Sequence, residues 1–240
     1  MLKVELHTHT ADDPRDDIEH SAQQLIDRAS DLDYDAIAIT LHNKQLDIRP
    51  LKEYASQRGL LLIPGIERDI LGKHVLLLNF SIRTETVESF EDLADLKREE
   101  PAGLVVAPHP FFPLGSCLGR TMHSHPNLFD AVEVNAMYAR SANFNRAAER
   151  WARAHGKPVV GNGDVHRLEQ LGTTYSLVDA APSPDAICEA IRQGRVQVSS
   201  TPLPLLRAVW IFAKILQFDV LRSLRRAFGI PLRTPEARGS

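Results

Sequence analysis

Only two cysteines, Cys117 and Cys188, occur in 240 residues, and they share no CxxC spacing. A disulfide scaffold and a thiolate metal site are therefore excluded, and a reducing compartment is the expectation. No apolar run reaches the roughly 18 residues that would cross a bilayer. Met1 leads straight into VELHTH, without the basic and apolar leader of a secreted chain. The expected location is the cytoplasm. Three motifs are also missing: GxGxxG after the first strand, GxxxxGK[ST], and a G-x-S-x-G elbow. Their absence argues against dinucleotide chemistry and a serine nucleophile. Nor does one sign of charge dominate, since 28 Lys+Arg against 31 Asp+Glu give a net charge of −3. Electrostatics alone make no case for a specific nucleic acid as partner.

What is present has the composition of a folded globular protein, with 43% hydrophobic and 25% charged residues. Short β-branched or apolar runs fall near 3–8, 35–41, 60–66, 74–80, 104–108, 130–135, 159–164 and 174–178, alternating with stretches of helical period. That alternation predicts repeated βα units and a mostly parallel sheet. Helices are expected from Ser21 to about 33, within 86–100, over 141–155, and from Ser183 or Pro184 to Arg192. With each strand followed by a helix, closure into a barrel removes exposed edges, and a doubly wound open sheet is the alternative.

Imidazoles and carboxylates collect where these apolar runs end. His7, His9, His42, Glu67, His109, Asp164 and His166 all do so, and barrel active sites are built at the C-terminal ends of strands. In His7-Thr8-His9 and in Asp164-Val165-His166 the flanking side chains are two residues apart, so each pair points to one side of its strand. A set of imidazoles and carboxylates suits Zn, Mn or Fe, and its size exceeds the needs of one tetrahedral ion. Two or three divalent ions are expected, with water activated for hydrolysis. His74, which starts a strand, reads as structural. An anionic substrate also needs cationic donors, for which Arg140, Arg120 and Lys44 are candidates, Arg140 preferred.

The motifs VELHTHT, AIAITLHN, IPGIE, VVAPHP and GNGDVH, in this order over roughly residues 3–201, make the chain resemble the polymerase and histidinol phosphatase (PHP) family of metal-dependent phosphoesterases. The resemblance implies an α/β fold, a distorted (β/α)7 barrel of the PHP type, hydrolysing a small phosphate ester. It implies metal ligands at His7, His9, His42, Glu67, His109, Asp164 and His166, with Asp164 and His166 also in the catalytic set beside Arg140. A further acidic ligand is implied in the ADDPRDDIEH loop. Counting back from Ala29 selects Asp17, with Asp16 and Asp13 as alternatives. Two departures stand out: Leu41 occupies the place of an Asp before His42, and AVEVNAMYARSANF, with Glu133 and Asn135, lacks the His that often follows the sixth strand. Hydrolysis of a C–N bond by the same ions is an alternative activity.

Composition changes after residue 202. Residues 203–240 contain seven Lys+Arg and two Asp+Glu, net +5, which leaves −8 for residues 1–202. Two segments are therefore expected: a hydrolase barrel over 1–202 and a basic amphipathic helix with a frayed end over 203–240. Arg207, Lys214, Arg222, Arg225 and Arg226 share one helical face and Trp210 lies on the other. Docking on the barrel, a homodimer contact, or peripheral membrane attachment through 203–228 would each suit such a helix. A non-catalytic module that binds through it is the rival to an enzyme.

Overall fold

The computed structural model describes residues 1–204; the expected helix over 203–240 lies almost wholly outside the described residues. Among the described residues, nine strands form one sheet: β1 (Leu2–Glu5), β2 (Ala36–Ile39), β3 (Leu61–Ile70), β4 (Lys73–Leu78), β5 (Leu104–Ala107), β6 (Ala131–Asn135), β7 (Val159–Asn162), β8 (Thr174–Val178) and β9 (Val196–Ser200). Six α-helices accompany them: α1 (Ala22–Asp31), α2 (Lys52–Ser56), α3 (Phe90–Glu99), α4 (Thr121–Ser124), α5 (Asn145–Ala154) and α6 (Pro184–Arg192). The helix starts follow from their caps. Ser21 and Ser89 each accept the backbone N–H three residues on, and Gln24 and Asp92 return the bond to the cap N–H. Ser183 caps α6 ahead of Pro184 at its first turn.

The strand order is β7-β6-β5-β4-β3-β2-β1-β8-β9. Pairing is parallel for β1–β2, β2–β3, β5–β6 and β6–β7, and antiparallel for β3–β4, β4–β5, β1–β8 and β8–β9. The expectation of a helix after every strand is thus corrected at β3, which turns directly into β4 through Leu71 and Gly72, both at positive φ. Two consecutive left-handed residues fit the tight turn of a two-residue hairpin. The ninth strand, β9, adds to the eight expected; its residues are mostly half-buried and give no strong apolar run.

The barrel is nearly closed. Ser176 Oγ accepts from Gly161 N at 2.9 Å and donates to Gly161 O at 3.1 Å, so a side chain of β8 holds β7. Beyond β1 and β7 the two segments that follow them pair directly, through a parallel bridge between Thr8 and Val165, with His9 N to Val165 O at 2.9 Å and Val165 N to His7 O at 3.1 Å. This bridge sets the His7–His9 segment beside the Asp164–His166 segment. Ala36, Ala38, Ile63, Leu76, Leu104, Val106, Ala131 and Val160 pack with Ile187 and Ile191 of α6 in one buried cluster. On other faces, α1 covers Ile37, Ile39 and Leu41, while α3 and α5 cover Leu77, Val105 and Val132. Among the described residues no helix is long and apolar enough to cross a membrane.

Candidate metal centre

The two-residue period that buries Ile63 and Ala131 brings Glu67 and Glu133 to the same faces of β3 and β6. Apolar rows at the base of the barrel therefore become polar rows at its mouth. His7, His9, His42, Glu67, His109 and Asp164 are all buried and converge there, with the half-buried His166 beside them. His7 Nε2 is 3.5 Å from Glu67 Oε2 and 3.4 Å from Asp164 Oδ1. His9 Nε2 makes the matching contacts at 3.5 and 3.6 Å. His42 Nε2 reaches Glu67 Oε2 at 3.0 Å, and His109 Nε2 reaches Glu67 Oε1 at 3.3 Å. The backbone is in the left-handed region at His109 and Asp164, a conformation that side-chain-bearing residues adopt at a cost.

Outer contacts orient these rings. Glu133 Oε2 accepts from His7 Nδ1 at 2.9 Å. Asp13 Oδ2 accepts from His9 Nδ1 at 2.9 Å and from His42 Nδ1 at 3.0 Å. An imidazole that gives its Nδ1 proton to a carboxylate turns an Nε2 lone pair to the other side. Cys117 Sγ lies 3.4 Å from His109 Nδ1. Asn135 Nδ2 ties Glu133 to Asp164, at 2.9 and 3.2 Å. Gly163 N donates to Glu5, and a Cβ at Gly163 would stand 2.7 Å from Val165 and 3.1 Å from Glu5 Oε2, so only glycine admits this approach.

The electrostatics favour cations. Burial by itself would lower the imidazoles, yet Asp164, Glu133 and Glu67 hold His7 well above the usual range, and Glu67 with Asp13 pushes His42 up to about 10. Burial would raise Glu67 and Asp164, but the surrounding histidines hold both well below the usual carboxylate range. His7 Nε2 and His9 Nε2 are buried without any hydrogen-bond partner. A buried polar atom left unpaired costs about 1–3 kcal/mol. Two such atoms facing two carboxylates are the donor set of a metal ion, so these residues fit the expected ions.

Several expected residues are placed differently. Asp17 is exposed and belongs to none of the metal-capable groups among the described residues. Asp13 takes the inner position because its Oδ1 accepts the N–H groups of Arg15 and Asp16, a turn that aims Oδ2 at His9 and His42. Asp16 meets His166 Nε2 at 3.1 Å. Arg140, Arg120 and Lys44 are exposed. Leu41 is fully buried with Leu25 and Ile39, so the departure from Asp supplies core packing. His74, expected to be structural, lies in the site, with Nδ1 2.7 Å from Glu67 Oε1. Its only signal is the β3–β4 register, which sets His74 opposite Asp69 and beside Glu67.

Fold and site together define an α/β barrel with a candidate metal centre at its strand ends. A family described as PHP-associated matches residues 142–196. Among solved structures, a two-domain protein from Bacteroides vulgatus, described as containing a PHP-like metal-dependent phosphoesterase, superposes with a TM-score of 0.61 at 19% identity, over 83% of this chain and 64% of its own. PsfC from Pseudomonas syringae gives 0.62 at 18% identity, over 92% of this chain and 100% of its own. The lesion-specific endonuclease PfuEndoQ from Pyrococcus furiosus gives 0.54 at 15% identity, over 88% and 66%. The chain thus spans just under two thirds of the first and third of these proteins. No curated protein matches it. The matched family and these neighbours support the PHP resemblance of the motifs, and the chain has the PHP-type fold. Balanced charge makes no electrostatic case for a specific nucleic acid, and the fold is one that a protein described as an endonuclease also has.

Proposed function

We propose that this chain is a metal-dependent phosphoesterase that hydrolyses a small phosphate ester. The observation that carries the proposal is the pair of partnerless, buried nitrogens, His7 Nε2 and His9 Nε2, facing Glu67 Oε2 and Asp164 Oδ1. The PHP-type fold, shared with a protein described as a metal-dependent phosphoesterase, supports it. His7, His9, Glu67 and Asp164 would hold one divalent ion, and His42, His109, His166 and Asp16 would hold one or two more, of Mn, Fe or Zn, while Asp13 orients His9 and His42 from behind.

When bound, such ions supply Lewis acidity and lower the pKa of water toward neutrality. The chain's own groups prepare the site. Glu133 keeps the proton of His7 at Nδ1, and Asp13 does so for His9 and His42, so three Nε2 lone pairs are presented together. Asn135 restrains Asp164 through Oδ2, leaving Oδ1 toward His7 and His9. His166 carries a ring nitrogen 3.4 Å from Asp164 Oδ1, where it could move a proton to a leaving group.

Elemental analysis of the purified protein, followed by turnover on phosphate monoesters, phosphodiesters including oligonucleotides, and amides, tests this reading. Bound transition metal with phosphoester turnover lost in Asp164→Ala is the expected result. A metal-free protein, or turnover indifferent to Asp164→Ala, would falsify it, and amide turnover alone would transfer the site to C–N hydrolysis.

A further inference from the structure

We propose that the β5–β6 side of the barrel mouth receives the alcohol part of the substrate on Phe144, backed by Phe112, and that this alcohol carries an aromatic ring. The inference rests on the phosphoesterase reading and adds the class of ester. The rim around the candidate metal centre has two unlike sides. On the β1 and β3 side it is charged, with Asp12, Asp16, Arg68 and Asp69 half-buried. On the β5 and β6 side the large half-buried residues include Phe111, Met137 and Phe144.

Both Phe112 and Phe144 are placed by the framework that holds the candidate ligands. The Phe112 N–H donates to His109 O at 3.2 Å, and the Phe112 ring stands edge-on to the His109 imidazole with centroids 6.4 Å apart. Phe144 immediately precedes Asn145, whose side chain accepts from Asn135 N at 3.0 Å and donates to Asn135 O at 2.9 Å. Asn135 in turn holds Glu133 and Asp164. The two phenyl rings meet with centroids 5.4 Å apart and 52° between their planes, within the range of favourable aromatic pairs. Phe112 is 5% exposed, so its faces are taken up by this packing. Phe144 is only half-buried. The row His109, Phe112, Phe144 therefore leads from a buried candidate ligand to a ring with surface still open.

A phosphate ester that brings its phosphorus to the ions must lay its alcohol against one side of the rim. An apolar alcohol on the charged side would strip water from carboxylates and a guanidinium without replacing it. The β5–β6 side carries no such cost, and ligand sites are mostly apolar around a few placed polar groups. An aromatic ring against Phe144 gains about two- to tenfold in affinity beyond the area it buries.

The test uses the full-length, metal-loaded protein and two non-hydrolysable probes, benzylphosphonate and cyclohexylmethylphosphonate, which have the same carbon count and differ in aromaticity. Titration calorimetry gives their affinities, elemental analysis the metal content, and kcat and KM are measured with benzyl phosphate and cyclohexylmethyl phosphate. The wild type should bind the benzyl probe about fivefold more tightly. Phe144→Leu keeps an apolar side chain and should abolish that preference at unchanged metal content, whereas Phe144→Tyr should retain it. With the esters, the change should fall on KM more than on kcat. Equal affinities in the wild type, a preference that survives Phe144→Leu or is lost in Phe144→Tyr, loss of metal from Phe144→Leu, or a wild type that binds neither probe overturns the proposal. A Phe144-dependent benzyl preference without turnover of any phosphate ester would keep this assignment and sink the catalytic reading; turnover of both esters with no benzyl preference would do the reverse.

Discussion

Glu133 Oε2 accepts a hydrogen bond from His7 Nδ1 at 2.9 Å, with both side chains wholly excluded from solvent. The same carboxylate accepts from Asn135 Nδ2, Asn162 Nδ2 and the His109 backbone N–H. Glu133 therefore fixes one ring directly and the backbone of a second candidate ligand. Glu133→Gln keeps the shape and removes the charge. Such outer partners of metal ligands are typically worth 10–100-fold in metal affinity, and a loss of about that size is expected, read by competition with a coloured chelator while circular dichroism stays native. Undiminished metal affinity would show that the carboxylate serves packing alone.

Two aspartates four residues apart should behave oppositely. Asp13→Ala removes the shared acceptor of His9 and His42 and releases the loop N–H groups of Arg15 and Asp16. A fall in turnover of about 100-fold or more is expected from the disordered ligands. Asp17→Ala alters an exposed position and should stay within about twofold of wild type. Equal losses in the two variants would contradict the placement of Asp13.

Much of this site is legible in the amino-acid sequence, because the ligand candidates end apolar strands: His42 closes AIAIT, Glu67 follows LLIPGI, and His109 follows LVVAP. The period-two pattern conveys which face a side chain takes, and so the convergence of the HxH and DxH segments is legible too. Asp13 is not separable from Asp16 and Asp17 in this way, because the choice depends on which carboxylate caps the loop's own N–H groups. His74 is illegible for a different reason. Its chemistry comes from the β3–β4 register, and the Leu71-Gly72 turn that sets it lacks the Asn-Gly or Asp-Gly signature of a tight hairpin. β9 leaves little trace because an edge strand of half-buried residues carries a weak apolar signal.

Metal removal should cost stability as well as activity. Without ions, the buried groups around His7, His9, Glu67 and Asp164 have only one another, and two nitrogens have no partner at all. Ligand at 1,000 times its Kd stabilises the folded state by about 4 kcal/mol, and a chain of this size moves roughly 2–4 °C in Tm per kcal/mol. Chelation followed by dialysis should therefore lower Tm by roughly 10 °C, and stoichiometric Mn or Zn should restore it. Calorimetric scans of the two forms that coincide would mean that the cluster folds around no cation.

The seam between β7 and β8 offers a test of barrel closure that leaves every candidate ligand in place. Gly161 exchanges two hydrogen bonds with Ser176 Oγ, and a Cβ there would lie 2.8 Å from Tyr175 O and 2.7 Å from Val198 Cγ1. The backbone oxygen cannot move aside without disturbing the β8–β9 pairing. Gly161→Ala should therefore destabilise by about 1–3 kcal/mol, the usual range for overpacking. Gly115→Ala is the control, since a Cβ at that exposed position meets nothing within 4 Å. Urea denaturation midpoints separate the two. Because Gly161 leads through Asn162 and Gly163 to Asp164, the seam variant should also loosen the DxH segment, seen as faster metal release at urea concentrations below the unfolding transition. A Gly161→Ala protein as stable as Gly115→Ala would mean that β7 and β8 do not approach this closely in solution.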